Sequence, residues 1–269
     1  MLTVDRSACD TCFGVQTAEV GVLTTAFLGY LRKIDKAATD KAAFLYLDAG
    51  GSAELAKTYA EAAESIGYGV EMVTGIDATE FNYAPYIQQL KDKGITYVNF
   101  VGATQHTVRF TEAMKQQHYE PKLFNVTQTQ YSGTYVETGG DSVDGTYLPL
   151  PHPLFTDKSN AELQLYQSWL QQMKPGAEPS SFGVFAWSAA RLFVQKALGL
   201  GGKLTRDSML GAVRAEHDWD ANGMHASMDV GAKTTYKCTS LVQLVDGVWK
   251  KVTPGDYICG DLVRTSVAG

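Results

Sequence analysis

Three places along the chain combine small residues with groups able to hold a ligand. They are Gly50-Gly51-Ser52 after the apolar run Ala42–Asp48, Gly102-Ala103-Thr104 after Ile95–Val101, and the residues that follow Val126. Turns of this kind leave backbone N–H groups free at the start of a helix, which suits a carboxylate. Covalent catalysis asks for more, namely a nucleophile with a base in reach. Gly50-Gly51-Ser52 has some of the look of a nucleophile elbow, yet the chain has no Gly-x-Ser-x-Gly and no His in a triad context. His106 and His118 fall on one predicted helix but not on one face of it. Asp48-Ala-Gly-Gly-Ser52 could cradle a phosphate, but neither Gly-x-Gly-x-x-Gly nor Gly-Lys-Ser/Thr is present. A flavodoxin-like enzyme or nucleotide-binding domain is therefore the lesser alternative, and the chemistry on offer is ligand capture without catalysis.

The cysteines and histidines point away from metals and cofactors. His106, His118, His152, His217 and His225 show no metal-ligand spacing. Cys9 and Cys12 form a Cys-x-x-Cys, but Arg6–Phe13 reads as a polar loop with no strand before it, which argues against a redox motif. Cys238 and Cys259 are spaced too widely to complete a zinc knuckle. Disulfides fit all four cysteines better, and Cys238 and Cys259 flank a predicted hairpin that would bring them together. Paired cysteines predict an oxidising, extracytoplasmic location. An exported chain begins with a charged and then an apolar leader, and Met1-Leu-Thr-Val-Asp5 has neither, so the expectation is a removed leader or a late start.

Composition excludes further classes. The 269 residues carry 29 acidic and 23 basic side chains, a net charge of -6, which is wrong for a nucleic-acid groove. No run of about 18 apolar residues is present to span a membrane.

The elements that position the turns repeat. Predicted strands start near Ala42, Gly69, Ile95 and Lys122, roughly 27 residues apart, the length of a strand plus a crossover helix. The apolar runs Ala42–Asp48, Gly69–Thr74, Ile95–Val101 and Lys122–Val126 suit parallel strands covered on both faces, and Val143–Leu150 reads as a fifth, broken by Pro149, Pro151 and Pro153. Helices are predicted over Thr17–Ile34, Ala53–Ile66 with Ser52 as N-cap, Pro85–Lys93 and Thr104–His118. Ligands of such sheets sit outside the carboxyl ends of the strands, where the three turns fall. After the prolines the pattern becomes helical: Ala161–Met173, Phe182–Leu198, and Leu204–Glu216 with Thr205 as N-cap. No strands alternate with these helices, so they need a partner surface. The tail returns to strands over Tyr236–Val245 and Val248–Val252 around an Asp246-Gly247 turn.

The order of elements and several stretches resemble the type I periplasmic binding proteins, specifically the branched-chain amino-acid (Leu/Ile/Val) binding family of ABC importers. The matching stretches are Lys41–Asp48, Thr79–Ile95, Tyr97–Ala103, Glu112-Ala-Met, Gly139–Tyr147 and Trp187–Phe193. The resemblance implies an α/β protein: one doubly wound parallel-sheet lobe, plus a helical remnant of a second α/β lobe. Residues 1–148 correspond to the second lobe, residues 149–233 to helices of an incomplete first lobe, and residues 234–269 to a hairpin returning to the second. The leading part of the first lobe, which in relatives precedes the segment resembling Leu2–Arg6, is expected to be missing.

It also implies a small solute as ligand, captured between closing lobes, and a membrane permease as partner, with no nucleic acid, cofactor or catalysis. A ligand-sensing receptor domain of the same fold is the alternative. By position, Ser52 matches a ligand contact, though it could instead be only the helix cap. Ala103, Thr104 and Gln105 match a second contact, and Gln128 falls where amino-acid binders carry an acid for the ligand's ammonium. Gln keeps hydrogen-bonding capacity without charge, so a branched-chain amino acid competes with a related amide or carboxylate as the expected solute. Trp187 matches an aromatic that closes the pocket, or else is a core residue of its helix.

Overall fold

The computed structural model describes residues 9–16 and 19–268. Strand β1 (Val22–Thr24) leads into α1 (Ala26–Ile34) and the short α2 (Lys36–Thr39). The repeat then runs β2 (Ala42–Asp48), α3 (Ser52–Ser65), β3 (Val70–Asp77), α4 (Ala84–Asp92), β4 (Tyr97–Val101), α5 (Thr104–Gln116) and β5 (Leu123–Val126). A 3-10 turn at Gln128–Gln130, α6 (Gly133–Gly139) and β6 (Tyr147–Leu150) complete it. Three helices follow, α7 (Ala161–Met173), α8 (Ser181–Leu200) and α9 (Arg206–Arg214), and then β7 (Cys238–Val245), β8 (Val248–Lys251), β9 (Ile258–Cys259) and β10 (Leu262–Arg264).

The main sheet has the order β3-β2-β4-β5-β6-β7-β8. Its neighbours from β3 to β6 are parallel, and β7 and β8 extend it antiparallel. Strand alternation sends Ala43, Leu45, Val98, Phe100, Phe124 and Val126 to one face, where they pack on Ile87, Leu90, Phe110 and Met114 of α4 and α5. Ala42, Phe44, Tyr97 and Leu123 go to the other, against Phe27, Leu28 and Leu31 of α1 and the Ala-rich face of α3. A sheet covered on both faces is what the near-continuous apolar runs predict. Helices α7 and α8 share a separate core with the segment 219–230, built on Leu163, Tyr166, Val184, Phe185, Met224 and Met228. Leu165, Trp169 and Met173 of α7 and Phe193, Val194 and Leu198 of α8 remain exposed.

Several predicted elements change; the strand expected over Val143–Leu150, for one, is confined to Tyr147–Leu150 because Val143 closes the preceding 3-10 turn. The helical stripe over Thr17–Ile34 becomes a strand and a shorter helix, with Thr17 itself, like Leu2–Arg6, outside the described residues. Gly21 takes a φ of +71°, and a Cβ there would meet the backbone of Ala268 at 2.3 Å. The next three residues pair antiparallel with β10. That pairing comes from the far end of the chain and overrides local helical periodicity. Ser52 is also not the N-cap of α3: Gly51 is, and Ser52 is the first helical residue, with no side-chain cap formed. The cap expected at Thr205 forms as a full capping box with Ser208. Asp246 and Gly247 both take positive φ, the turn an Asp-Gly hairpin needs.

Both cysteine pairs are bonded, Cys9 to Cys12 and Cys238 to Cys259, the latter across the β7/β9 pairing. Among the described residues no His, Cys, Asp and Glu side chains gather as metal ligands, and no helix is long and apolar enough to cross a membrane.

Candidate functional site

The carboxyl ends of β2, β4 and β5 open onto a cavity of about 530 Å³. Leu47 and Val101 at the strand ends form part of its floor, and the turns beyond them supply Ser52, Ala103, Thr104, Thr127, Gln128 and Thr129. The far side is built from Val20–Leu23, Pro149, Phe182 at the start of α8, and Tyr236. Apolar walls with a few convergent polar groups are the usual makeup of a small-molecule site.

A buried ring of hydrogen bonds sets the turns after β4 and β5 side by side. Gln130 is fully buried, and its Nε2 donates to the Gly102 carbonyl at 2.9 Å and to Thr107 Oγ1 at 3.3 Å. Its Oε1 lies 2.9 Å from the hydroxyls of both Thr127 and Thr129, which are 2.6 Å from each other. Replacing Gln130 with Leu leaves the Gly102 carbonyl and a threonine hydroxyl without their partner. A loss of about 2 kcal/mol is expected in urea denaturation. A loss under about 0.5 kcal/mol, the scatter of an ordinary surface substitution, would show that the ring does not hold the two turns.

The residues singled out by sequence divide into two groups. Ser52, Ala103, Thr104 and Gln128 share the cavity, brought together from three separate turns. Gln105 and Trp187 are not in its lining. Gln105 is exposed on α5, with Nε2 3.4 Å from His106 Nε2. Trp187 is turned into the α7–α8 core, where its indole N–H donates to Glu162 Oε1 at 2.6 Å and its ring lies 5.9 Å from Tyr166. Glu162 is itself buried. Burial alone would raise its carboxyl, but hydrogen bonds from Asn222, Trp187 and Arg191 together hold it below the ordinary glutamate range. This carboxylate positions the Trp187 ring as part of the helical core.

Sequence reasoning missed Phe182, Tyr236, Glu54 and the Val20–Leu23 segment. Phe182 carried a faint signal as a large aromatic at the first turn of a helix. Tyr236 carried none, because its place depends on the chain returning to the sheet after three helices.

A parallel sheet with a ligand-sized cavity over its strand ends, faced by a second, helical unit, is the layout of a type I periplasmic binding fold. The chain belongs to the periplasmic binding protein family, whose model matches residues 4–248. That is a family of binding proteins and not of enzymes. Among solved structures, the chain is similar to a branched-chain amino acid ABC transporter from Thermus thermophilus with bound valine, with a TM-score of 0.70 and 12% identity over 88% of this chain and 64% of that one. It is similar to a leucine binding protein from Thermotoga maritima, with a TM-score of 0.67 and 13% identity over 86% of this chain and 64% of that one. It is also similar to a fatty acid ABC transporter substrate-binding protein from Thermomonospora curvata, with a TM-score of 0.68 and 17% identity over 96% of this chain and 68% of that one. At such identities the likeness is one of fold. The chain spans less than two thirds of the length of the first two. No curated sequence matches it.

Proposed function

We propose that this chain is the solute-capturing component of an ABC importer, holding a small hydrophobic amino acid, or a related amide or carboxylate, in the cavity over β2, β4 and β5 and presenting it to a membrane permease. The observation that carries this reading is the cavity itself, where polar groups from the turns after three neighbouring strands, β2, β4 and β5, converge among apolar walls. In this reading the main sheet with its hairpin from Thr234 is the second lobe, and the helices between Pro149 and Lys233 belong to the first. Capture is then a closure of one unit on the other, with Phe182 moving relative to the turns. Two disulfides are in keeping with work outside the cytoplasm.

Calorimetric titration of the protein with leucine, isoleucine, valine, their amides and short branched carboxylates tests it. At least one is expected to bind at about 10 μM or tighter, roughly 7 kcal/mol of binding free energy. Silence across the panel, together with turnover of any of these compounds, would replace capture by catalysis.

A further inference from the structure

The amino end of α5 is bare toward the cavity. Its N-cap is Ala103, no side chain caps it, and no acidic residue lies in its first turn. The backbone N–H groups of Thr104 and Gln105 have no acceptor among the described residues. By itself this is an ordinary helix end. What gives it meaning is Gln128, which lies in the same cavity wall on the next turn.

Gln128 is only 8% exposed, yet its carboxamide makes no hydrogen bond among the described residues, while Thr127, Thr129 and Gln130 beside it are all tied into the ring. A buried carboxamide carries two donor hydrogens and an acceptor oxygen, and leaving them unmet is unfavourable. Its atoms are not among those fully occluded without a partner, so the residual exposure of this lining residue opens to the cavity. The unmet N–H of Thr104 and the unmet carboxamide therefore face one space.

These groups select a ligand by charge. Donors predominate, and the partial positive charge of a helix amino end favours an oxygen acceptor and opposes an ammonium. An ammonium desolvated here would meet neutral acceptors, the Gln128 oxygen among them, where a charged partner is needed to compensate it. Among the described residues the lining contains no Lys, Arg or His, and its two carboxylates stand apart from this corner in role. Glu19 is bonded to Arg264 at 2.8 Å, and Glu54 is exposed in the first turn of α3, where that helix's own field offsets its charge. The remaining wall, from Leu23, Leu47, Leu55, Tyr59, Val101 and Phe182, is apolar.

We infer that the cavity takes a solute with a carbonyl-oxygen head, a carboxylate or a carboxamide, on a short apolar body and without an ammonium group, the head lying between the amino end of α5 and Gln128. This rests on the reading of the cavity as a solute site and narrows its ligand.

The test is calorimetric titration of the protein at neutral pH with 4-methylpentanoate, 4-methylpentanamide and leucine, which share one apolar body. The acid or the amide is expected to bind at least tenfold tighter than leucine, and which of the two leads tells the charge of the head. Gln128→Leu is expected to weaken that ligand at least tenfold. Should Gln128→Leu fail to fold, the side-chain amide NMR signals of Gln128 in the unaltered protein are the second measurement, and they are expected to shift on saturation. Leucine binding as tightly as its deaminated analogues, a Gln128→Leu protein with full affinity, or amide signals that do not move would each overturn the inference and leave the solute site standing. If none of the three binds but another solute does, the inference falls alone. If no solute binds at all, the parent reading falls with it.

Discussion

Replacing Cys238 and Cys259 together with alanine is expected to lower the free energy of unfolding by about 3 kcal/mol, the chain-entropy value for a loop of this size. The bond joins residues 21 apart in sequence and clips β9 onto the start of β7. Between them lies the Asp246-Gly247 hairpin, whose β8 is the last strand of the main sheet and shows three of its four side chains to solvent except Trp249. An edge of that kind gains little from burial, so limiting the freedom of the unfolded loop is a large share of what holds it. The Cys9–Cys12 bond closes a separation of only 3 residues and is expected to contribute much less. Urea denaturation of the two double-alanine proteins separates these effects. Equal losses from both pairs would show that loop closure is not the source of the stabilisation.

Acidification is expected to loosen the contact between the sheet and the helical unit through two buried histidines. His152 is fully buried beside Tyr131 and Phe155, with Nδ1 2.8 Å from the Pro153 carbonyl and Nε2 2.8 Å from Ser181 Oγ at the start of α8. A carbonyl only accepts, so Nδ1 carries the proton and Nε2 accepts from the serine hydroxyl. His225 repeats the arrangement with Ala226 and Ser188, and Ser188 in turn accepts from the Trp219 indole. Burial pushes His152 down to about 4, and burial also lowers His225.

The folded state therefore resists protonation that the unfolded chain accepts near pH 6.5. Stability is fully present above that pH and is lost as pH falls from there toward about 4. For His152 the drop from 6.5 to about 4 corresponds to about 3 kcal/mol at the acid end. Comparing urea midpoints of the protein and of His152→Asn at pH 7.5 and at pH 4.5 isolates this contribution from that of the carboxylates. The unaltered protein is expected to lose about 2 kcal/mol more than the variant, since the folded histidine is itself partly protonated at the lower pH. Parallel pH profiles would show that His152 titrates as an ordinary surface histidine.

Much of the fold can be read locally. Ala42–Asp48 and Ala161–Met173 have the predicted ends, because a two-face apolar run and an amphipathic stripe with Asn160 at its cap carry their own boundaries. Thr205 and the Asp246-Gly247 turn are equally local, since a cap and a tight hairpin involve only residues a few positions apart. Of the cavity, Ser52, Ala103, Thr104 and Gln128 were legible because the carboxyl ends of parallel strands define where a site must lie.

Other features depend on partners distant in sequence. Val22–Thr24 becomes a strand because β10 offers it an edge, against its own helical period. Trp187 turns toward Glu162 of α7, whose buried carboxylate needs the indole N–H. Gln130 is locked between two turns that only the folded sheet makes neighbours, and Phe182 and Tyr236 reach the cavity from the start of α8 and from the segment after α9. Sequence alone determined the repeating unit and one wall of the cavity, because periodicity, caps and turns are short-range. Tertiary structure decided the opposite wall and the bare polar corner at Gln128, because which donors stay unmet depends on every neighbour that folding brings within reach.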